Sequence, residues 1–410
     1  MTETKSQRIS SVEFWRFFFT VFVCLYHLEI FFYSQKKALS SGSGAVEFFF
    51  ILAGFTMAMS SHRKLSRRFE PVSTREAAHA ALDFVVKKLK AIYPILIVVL
   101  LFGFVLYPLM GVQSAGAIFG AVKPTSILHN LLNSEWEWLI MVGTPFGYNN
   151  GASPVVHMWF LTHLLLIGYL YTYAIYKHHD FVMFLAPALG VLGYIFFSLN
   201  SGILLDFTVK MGFLSAGSVH AIAEMSLGIS MYRLYDYLSK KDLSALWRLL
   251  LTAIMAFAIY RIFALTIYTG VSVDNFRKIP YMMIIILLSF LNEDYISRWL
   301  NKPFWRGFGH ISLAMYLCHV QLVQVYMQGL VFVKTQLVNH LFTSMSAGAW
   351  LSFLSNTGGF DAEFRSVPMN WKDMLIFGLL VIFTACIIMA IVSLSKRGIA
   401  KLKMYLAAAK

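Results

Sequence analysis

Three side chains near the start of the chain have types and a spacing that chemistry can use. Glu13 stands three residues before Arg16, and His27 stands eleven residues after it. On an α-helix, at about 100° and 1.5 Å per residue, eleven steps make three turns plus roughly 20° and climb about 16 Å. Arg16 and His27 then share one face at two depths, and Glu13 is placed to pair with Arg16. A guanidinium can hold an anionic or polarised group. An imidazole titrates near neutrality, so His27 can take a proton from a hydroxyl or carry a transferred group itself. The plainer alternative is that Arg16 reaches back to a membrane interface and His27 caps a helix end. Glu47 opens the next apolar run at a depth comparable to His27, where a carboxylate can orient an imidazole or simply be a solvated helix end.

Other candidates are weaker. Eight cations lie between Arg63 and Lys90, and the run ends in Lys87, Lys88, Lys90 and Tyr93. Such a cluster suits a phosphorylated ligand, but on composition alone it suits membrane topology and anionic lipid better. Glu224 and Arg261 fall inside apolar segments, where ionisable groups face a cavity or each other. His319 follows Tyr316 by three residues, and His163 follows Trp159 by four. Histidines so placed are more often satisfied core residues than reactive ones. There is no Walker sequence, no dinucleotide glycine fingerprint, no His-Glu-x-x-His and no Cys-x-x-Cys. No metal and no permanently bound cofactor is therefore expected. Cys24, Cys318 and Cys386 all lie in apolar runs and offer no disulfide framework.

The elements that must position these residues are membrane helices. The chain has 410 residues, of which 58% are hydrophobic and 13% charged, and its mean hydropathy is +0.67. Soluble domains average about 45–50% apolar and about 25% charged, so an ordinary soluble protein is excluded. Ten apolar segments fit a span of about 17–25 residues: 14–33, 45–60, 91–109, 155–176, 181–199, 215–235, 248–268, 279–292 (short), 308–330 and 373–394. The expected fold class is thus all-α, a polytopic membrane protein of about ten transmembrane helices. With the N-terminus inside, twenty-three Lys and Arg fall on inner segments and nine, Lys278 among them, on outer ones. That asymmetry places both termini in the cytoplasm and explains most of the +14 net charge without nucleic acid. Arg16, His27 and Glu29 within the first run argue for a retained helix, not a cleaved signal peptide. Residues 135–142 resemble an interfacial or re-entrant helix, and 149–151 and 356–359 read as turns. Residues 1–410 read as a single domain, with no separate soluble domain and no visible repeat.

These pieces, taken in order, resemble the membrane-bound acyltransferase 3 family. Glu13-x-x-Arg16 and His27 match the family's first helix, and Gly44 to Phe55 its second, with Ala53 where serine is usual. The basic run before Tyr93-Pro94, the Trp159-Phe160-Leu161 segment and the run from Ser312 to His319 also fit. Phe17 stands where glycine usually follows the arginine, and Ala91 where an arginine often precedes Ile-Tyr-Pro. The resemblance implies a plasma-membrane enzyme, by family habit in the bacterial inner membrane. It would move an acyl group, usually acetyl, from cytosolic acyl-CoA as co-substrate to a hydroxyl of a surface or lipid-linked glycan. It implies His27, Arg16 and Glu47 as the catalytic set, with Glu47 orienting His27. Lys87, Lys88, Lys90 and Tyr93 would serve the acyl-CoA. Glu13, Trp159, His163, Glu224, Arg261, Tyr316 and His319 are cavity candidates.

Two rival readings stand beside it. Ten spans with buried charge describe a small-molecule transporter or exporter equally well, and consumption of acetyl-CoA separates the two. A structural or lipid-scrambling protein predicts that His27→Ala is silent.

Overall fold

The computed structural model describes residues 9–31, 39, 42–66, 70–109, 159–199, 210–211, 214–267, 274–339 and 371–408. The sequence expectations at 135–142, 149–151 and 356–359 lie outside these residues. In chain order the helices are α1 Ser10–Phe31, α2 Ala45–Leu65, α3 Thr74–Leu109, α4 Trp159–Lys177 and α5 His179–Leu199. They continue with α6 Ala216–Leu238, α7 Ala245–Ile267, α8 Asp274–Arg277, α9 Ile279–Leu291, α10 Tyr295–Leu300, α11 Trp305–Asn339 and α12 Trp371–Ala408. The fold is all-α. The one departure among the described residues is a two-residue antiparallel ladder, Lys210 opposite Ser215 and Met211 opposite Leu214.

Each of the ten apolar segments overlaps one of these helices. Five of them, α1, α2, α5, α7 and α12, are long and apolar enough to cross a membrane over the described residues. Helix α9 has only 13 residues, and α6 buries His220 and Glu224 among its apolar residues. The exposed faces of α5, α7 and α12 carry large apolar side chains such as Phe184, Leu192, Phe257 and Phe383. Such a surface suits contact with lipid. Helices α1, α2, α6 and α11 supply much of the buried core instead.

Local chemistry sets the helix starts. Helix α3 begins 17 residues before the apolar segment assigned to it, so much of the basic stretch is helix and not loop. Its start is a capping box: Glu76 N–H donates to Ser73 Oγ at 3.2 Å, and Ser73 N–H donates to Glu76 Oε2 at 3.0 Å. No glycine or proline interrupts residues 77–93, so nothing stops the helix before the apolar run. Ser215 caps α6 by accepting from Ser218 N–H, and Asp294 caps α10 by accepting from Ser297 N–H at 2.8 Å. The start of α1 is tied down by neighbours. Ser10 N–H donates to Asn301 Oδ1 at 2.9 Å, Ser11 Oγ–H to Ser289 O at 3.1 Å, and Arg306 Nε–H to Ser10 Oγ at 3.1 Å.

Packing pairs α1 with α11 and α2 with α6. Helices α2 and α6 meet backbone to backbone. A Cβ on Gly54 would sit 2.0 Å from Met225 O, and one on Gly228 would sit 2.0 Å from Ile51 O. Small residues are how helices approach this closely where no hydrophobic drive separates them from lipid. The α1–α11 pair has its own close contact, where a Cβ on Gly309 would strike Glu13 Oε2 at 2.0 Å.

Candidate active site

Helix α1 carries the first set. Glu13 is buried against Gly309 and holds Arg16, whose Nη1 donates to Glu13 Oε1 at 3.0 Å and Oε2 at 2.8 Å. The Arg16 side chain, 29% exposed, lines a cavity of about 1200 Å³. That volume is somewhat above the range of about 300–1,000 Å³ of most small-molecule pockets. Four cations mark it: Arg63 and Lys64 from the end of α2, Lys88 from α3, and Arg16. Its walls are apolar, with Phe49, Leu52, Phe160 and Leu164 among them, and Tyr316 of α11 also lines it. A cationic rim on an apolar shaft can take a phosphorylated head and a long, weakly polar tail.

His27 stands beyond Tyr316. Its Nδ1 is 2.9 Å from Val23 O and 3.1 Å from His319 Nε2. His319, fully buried, places Nδ1 2.6 Å from Tyr316 O. One assignment of neutral tautomers satisfies all three contacts. His319 Nδ1–H donates to Tyr316 O, so His319 Nε2 is an acceptor. His27 Nδ1–H then donates to Val23 O and His319 Nε2. That leaves His27 Nε2 with a lone pair and no proton, on a half-buried ring. Chemically, such an arrangement can present an imidazole as a proton acceptor with a second imidazole beside it.

The sequence candidates divide on this geometry. Arg16, Glu13, Lys88 and Tyr316 line the cavity, and His27 joins His319 just past it. Lys87 and Lys90 are exposed on other faces of α3, and Tyr93, half-buried, is not in the cavity wall. Helical spacing explains the division: residues 88, 91 and 92 share one face, and Lys87 is turned by about 100°. Arg63 and Lys64 were counted in the basic run but not singled out. The last turn of an apolar helix, aimed at the same end as Lys88, was the available signal.

Glu47 makes no hydrogen bond to His27; the contact that the sequence reading gave to Glu47 is made by His319. Glu47 lies instead with His220 and Glu224, and the charge of Lys278 reaches it. His220 Nδ1 is 2.8 Å from Glu224 Oε1. Lys278 was expected among outer-loop cations and is only 1% exposed, directly before α9. Glu224 and Arg261 do not pair. Arg261 lies over the Tyr281 ring at 5.7 Å. His163 is a tie between helices: Nδ1–H donates to Trp159 O at 2.5 Å, and Nε2 accepts from Ser215 Oγ at 2.9 Å. The Trp159 ring packs on His163 and Phe50.

A family model for an acyltransferase domain, acyltransferase 3, matches residues 9–394. The chain belongs to the acyltransferase 3 family. No curated protein and no solved structure matches it. The matched region takes in every helix that forms the cavity and both histidines of the pair. The family and the apolar helices together make this a multi-pass membrane acyltransferase.

Proposed function

We propose that this acyltransferase moves an acyl group, acetyl in the simplest case, from acyl-CoA to a hydroxyl of a surface or lipid-linked glycan. The observation that carries the proposal is a cavity lined both by Arg63, Lys64 and Lys88 and by Tyr316, whose carbonyl meets His319 of the His27–His319 pair. Arg63, Lys64 and Lys88 would bind the CoA phosphates by charge-assisted hydrogen bonds. The apolar wall would hold the pantetheine arm. Arg16, fixed in place by Glu13, would neutralise charge along the donor. His27 Nε2 would take the proton of the acceptor hydroxyl as its oxygen attacks the thioester carbonyl. The C–S bond then breaks, the CoA thiolate leaves, and the proton returns to it or to solvent. An acyl-His27 intermediate is the covalent variant of the same site. Acid quenching of a single turnover with radiolabelled acetyl-CoA separates the two routes.

In this reading the ten helices of the apolar segments, all but α8 and α10, cross the bilayer, with both termini and the cationic rim in the cytoplasm of a bacterial inner membrane. His27 would then lie toward the outer face, where glycan acceptors are met. The charge asymmetry of the loops supports that orientation. The first test is thermal stabilisation of purified protein by acetyl-CoA against CoA and acetate. A ligand that binds the folded state raises its apparent stability. Stabilisation that fades in Arg63→Ala/Lys64→Ala supports the donor site. A folded protein that no CoA species stabilises, and that consumes no acetyl-CoA, points to the transporter alternative, which the buried charges of α2 and α6 favour.

A further inference from the structure

Away from the cavity rim, α2 and α6 bring three buried ligand-type side chains together. One donor atom from each of Glu47, His220 and Glu224 lies within 4.8 Å of the others. Glu47 and His220 are each 7% exposed, and Glu224 is fully buried. Two buried carboxylate oxygens, Glu47 Oε2 and Glu224 Oε2, have no hydrogen-bond partner. Such atoms are costly unless something positive meets them. His220 and Glu224 are one helical turn apart on α6, the i, i+4 spacing that lets one helix chelate. The ring of Phe197 stacks on His220 at 4.2 Å, and Phe276 stacks on Phe197 at 5.2 Å, which closes the cluster on that side.

We infer that Glu47, His220 and Glu224 bind one divalent transition-metal ion. Two carboxylates and an imidazole form a mixed oxygen and nitrogen set. That set suits zinc or manganese better than calcium or magnesium, which prefer oxygen alone. Three protein ligands leave one position for water, as in open zinc sites. The ion takes the place of the proton between His220 Nδ1 and Glu224 Oε1, and that proton moves to Nε2 or leaves to solvent. The bound ion clips α2 to α6 on the side of their glycine contact toward the helix N-termini. The inference does not depend on the acyl-transfer reading. Lys278 is the internal competitor, since its charge also reaches Glu47.

The test uses the full chain with a tag free of histidine, purified, stripped with chelator and re-exposed to zinc or manganese. Metal per chain is measured by mass spectrometry, and the apparent Tm is read with and without each ion. The expected result is one ion per chain and a rise in Tm, both lost in Glu224→Gln and Glu47→Gln. Lys278→Met should bind the ion at least as well as the unmodified chain. X-ray absorption of bound zinc should show one imidazole with oxygen neighbours. The inference is overturned by a folded, stripped protein that takes up neither ion, because Lys278 and a proton then balance the carboxylates. Unchanged uptake in both Gln variants overturns it too, as does a zinc shell of sulfur or several imidazoles.

Discussion

His319 Nε2 lies 3.1 Å from His27 Nδ1, and the carbonyl of Tyr316 fixes the opposite nitrogen of His319. Two imidazoles from α1 and α11 thus form one network, and His27 is held by Val23 O and by His319 together. In the proposed reaction His27→Ala should lower kcat by about 10²–10⁴-fold, the usual worth of a general base. His319→Ala should lower kcat by up to about 100-fold through misplacement of His27, with KM for acetyl-CoA nearly unchanged. His319→Gln, which retains an acceptor, should recover part of the loss. Steady-state kinetics with a saturating acceptor reads this split. A His319→Ala effect confined to KM would remove His319 from the positioning role.

The two adjacent lysines of α3 should behave differently. Lys88 faces the cavity and Lys87 does not. Loss of a charge-assisted contact is worth about 1.5–3 kcal/mol, so Lys88→Ala should raise KM for acetyl-CoA roughly tenfold or more. Lys87→Ala should leave it within error. Equal effects from the two would place the donor on the outside of α3.

Ala91 is exposed on the cavity wall one turn from Lys88. Ala91→Arg puts a fifth cation beside the rim and should lower KM for acetyl-CoA by roughly 2- to 10-fold, with the gain reduced at high salt. A gain that does not respond to salt would mean that the arginine acts by packing and not by charge.

Two glycines of α11 offer a stability contrast. A Cβ at Gly309 would meet Glu13 Oε2 at 2.0 Å, Cβ at 2.5 Å and Cα at 2.8 Å, whereas Gly307 has nothing within 4 Å. Gly309→Ala should destabilise by about 1–3 kcal/mol through overpacking. Gly307→Ala should be neutral or add about 0.5–1 kcal/mol, the usual helix preference of alanine over glycine. Thermal unfolding in detergent measures both. A Gly309→Ala protein as stable as the unmodified chain would show that α1 and α11 can part without cost.

Much of the scaffold was legible because periodicity and apolar length are local properties. The ten apolar runs each overlap a helix, and the eleven-residue interval set Arg16 and His27 on one face of α1. The site was only half legible, because what faces what depends on neighbours far along the chain. Glu47 shares a depth with His27 by helix arithmetic, yet its neighbours are His220 and Glu224 of α6. His319 is 292 residues from His27, and a histidine in an apolar helix looks the same whether it is a packing residue or a partner. Lys278 read as a loop cation because it borders an apolar run, and only the packing of α9 shows it buried. The Lys87–Lys88 distinction, by contrast, was available from helical phase.

The cavity walls belong to different locked pairs. Arg16, Thr20 and Tyr316 come from α1 and α11, which the Glu13–Gly309 contact joins. Phe49, Leu52 and Ala53 come from α2, which the Gly54 and Gly228 contacts join to α6. Between α2 and α6 backbone meets backbone and no flexible side chain can yield, whereas between α1 and α11 the Glu13 side chain forms the nearest part of the contact. The chamber lies between these two pairs and is closed by α3 and α4, through Lys88, Ile92, Phe160 and Leu164. If the chamber takes the proposed donor, a bulkier one would have to part α1 from α2, where Phe19 stacks on Phe48 at 4.2 Å, so a contact between residues outside the cavity wall would help set how large a guest is accepted.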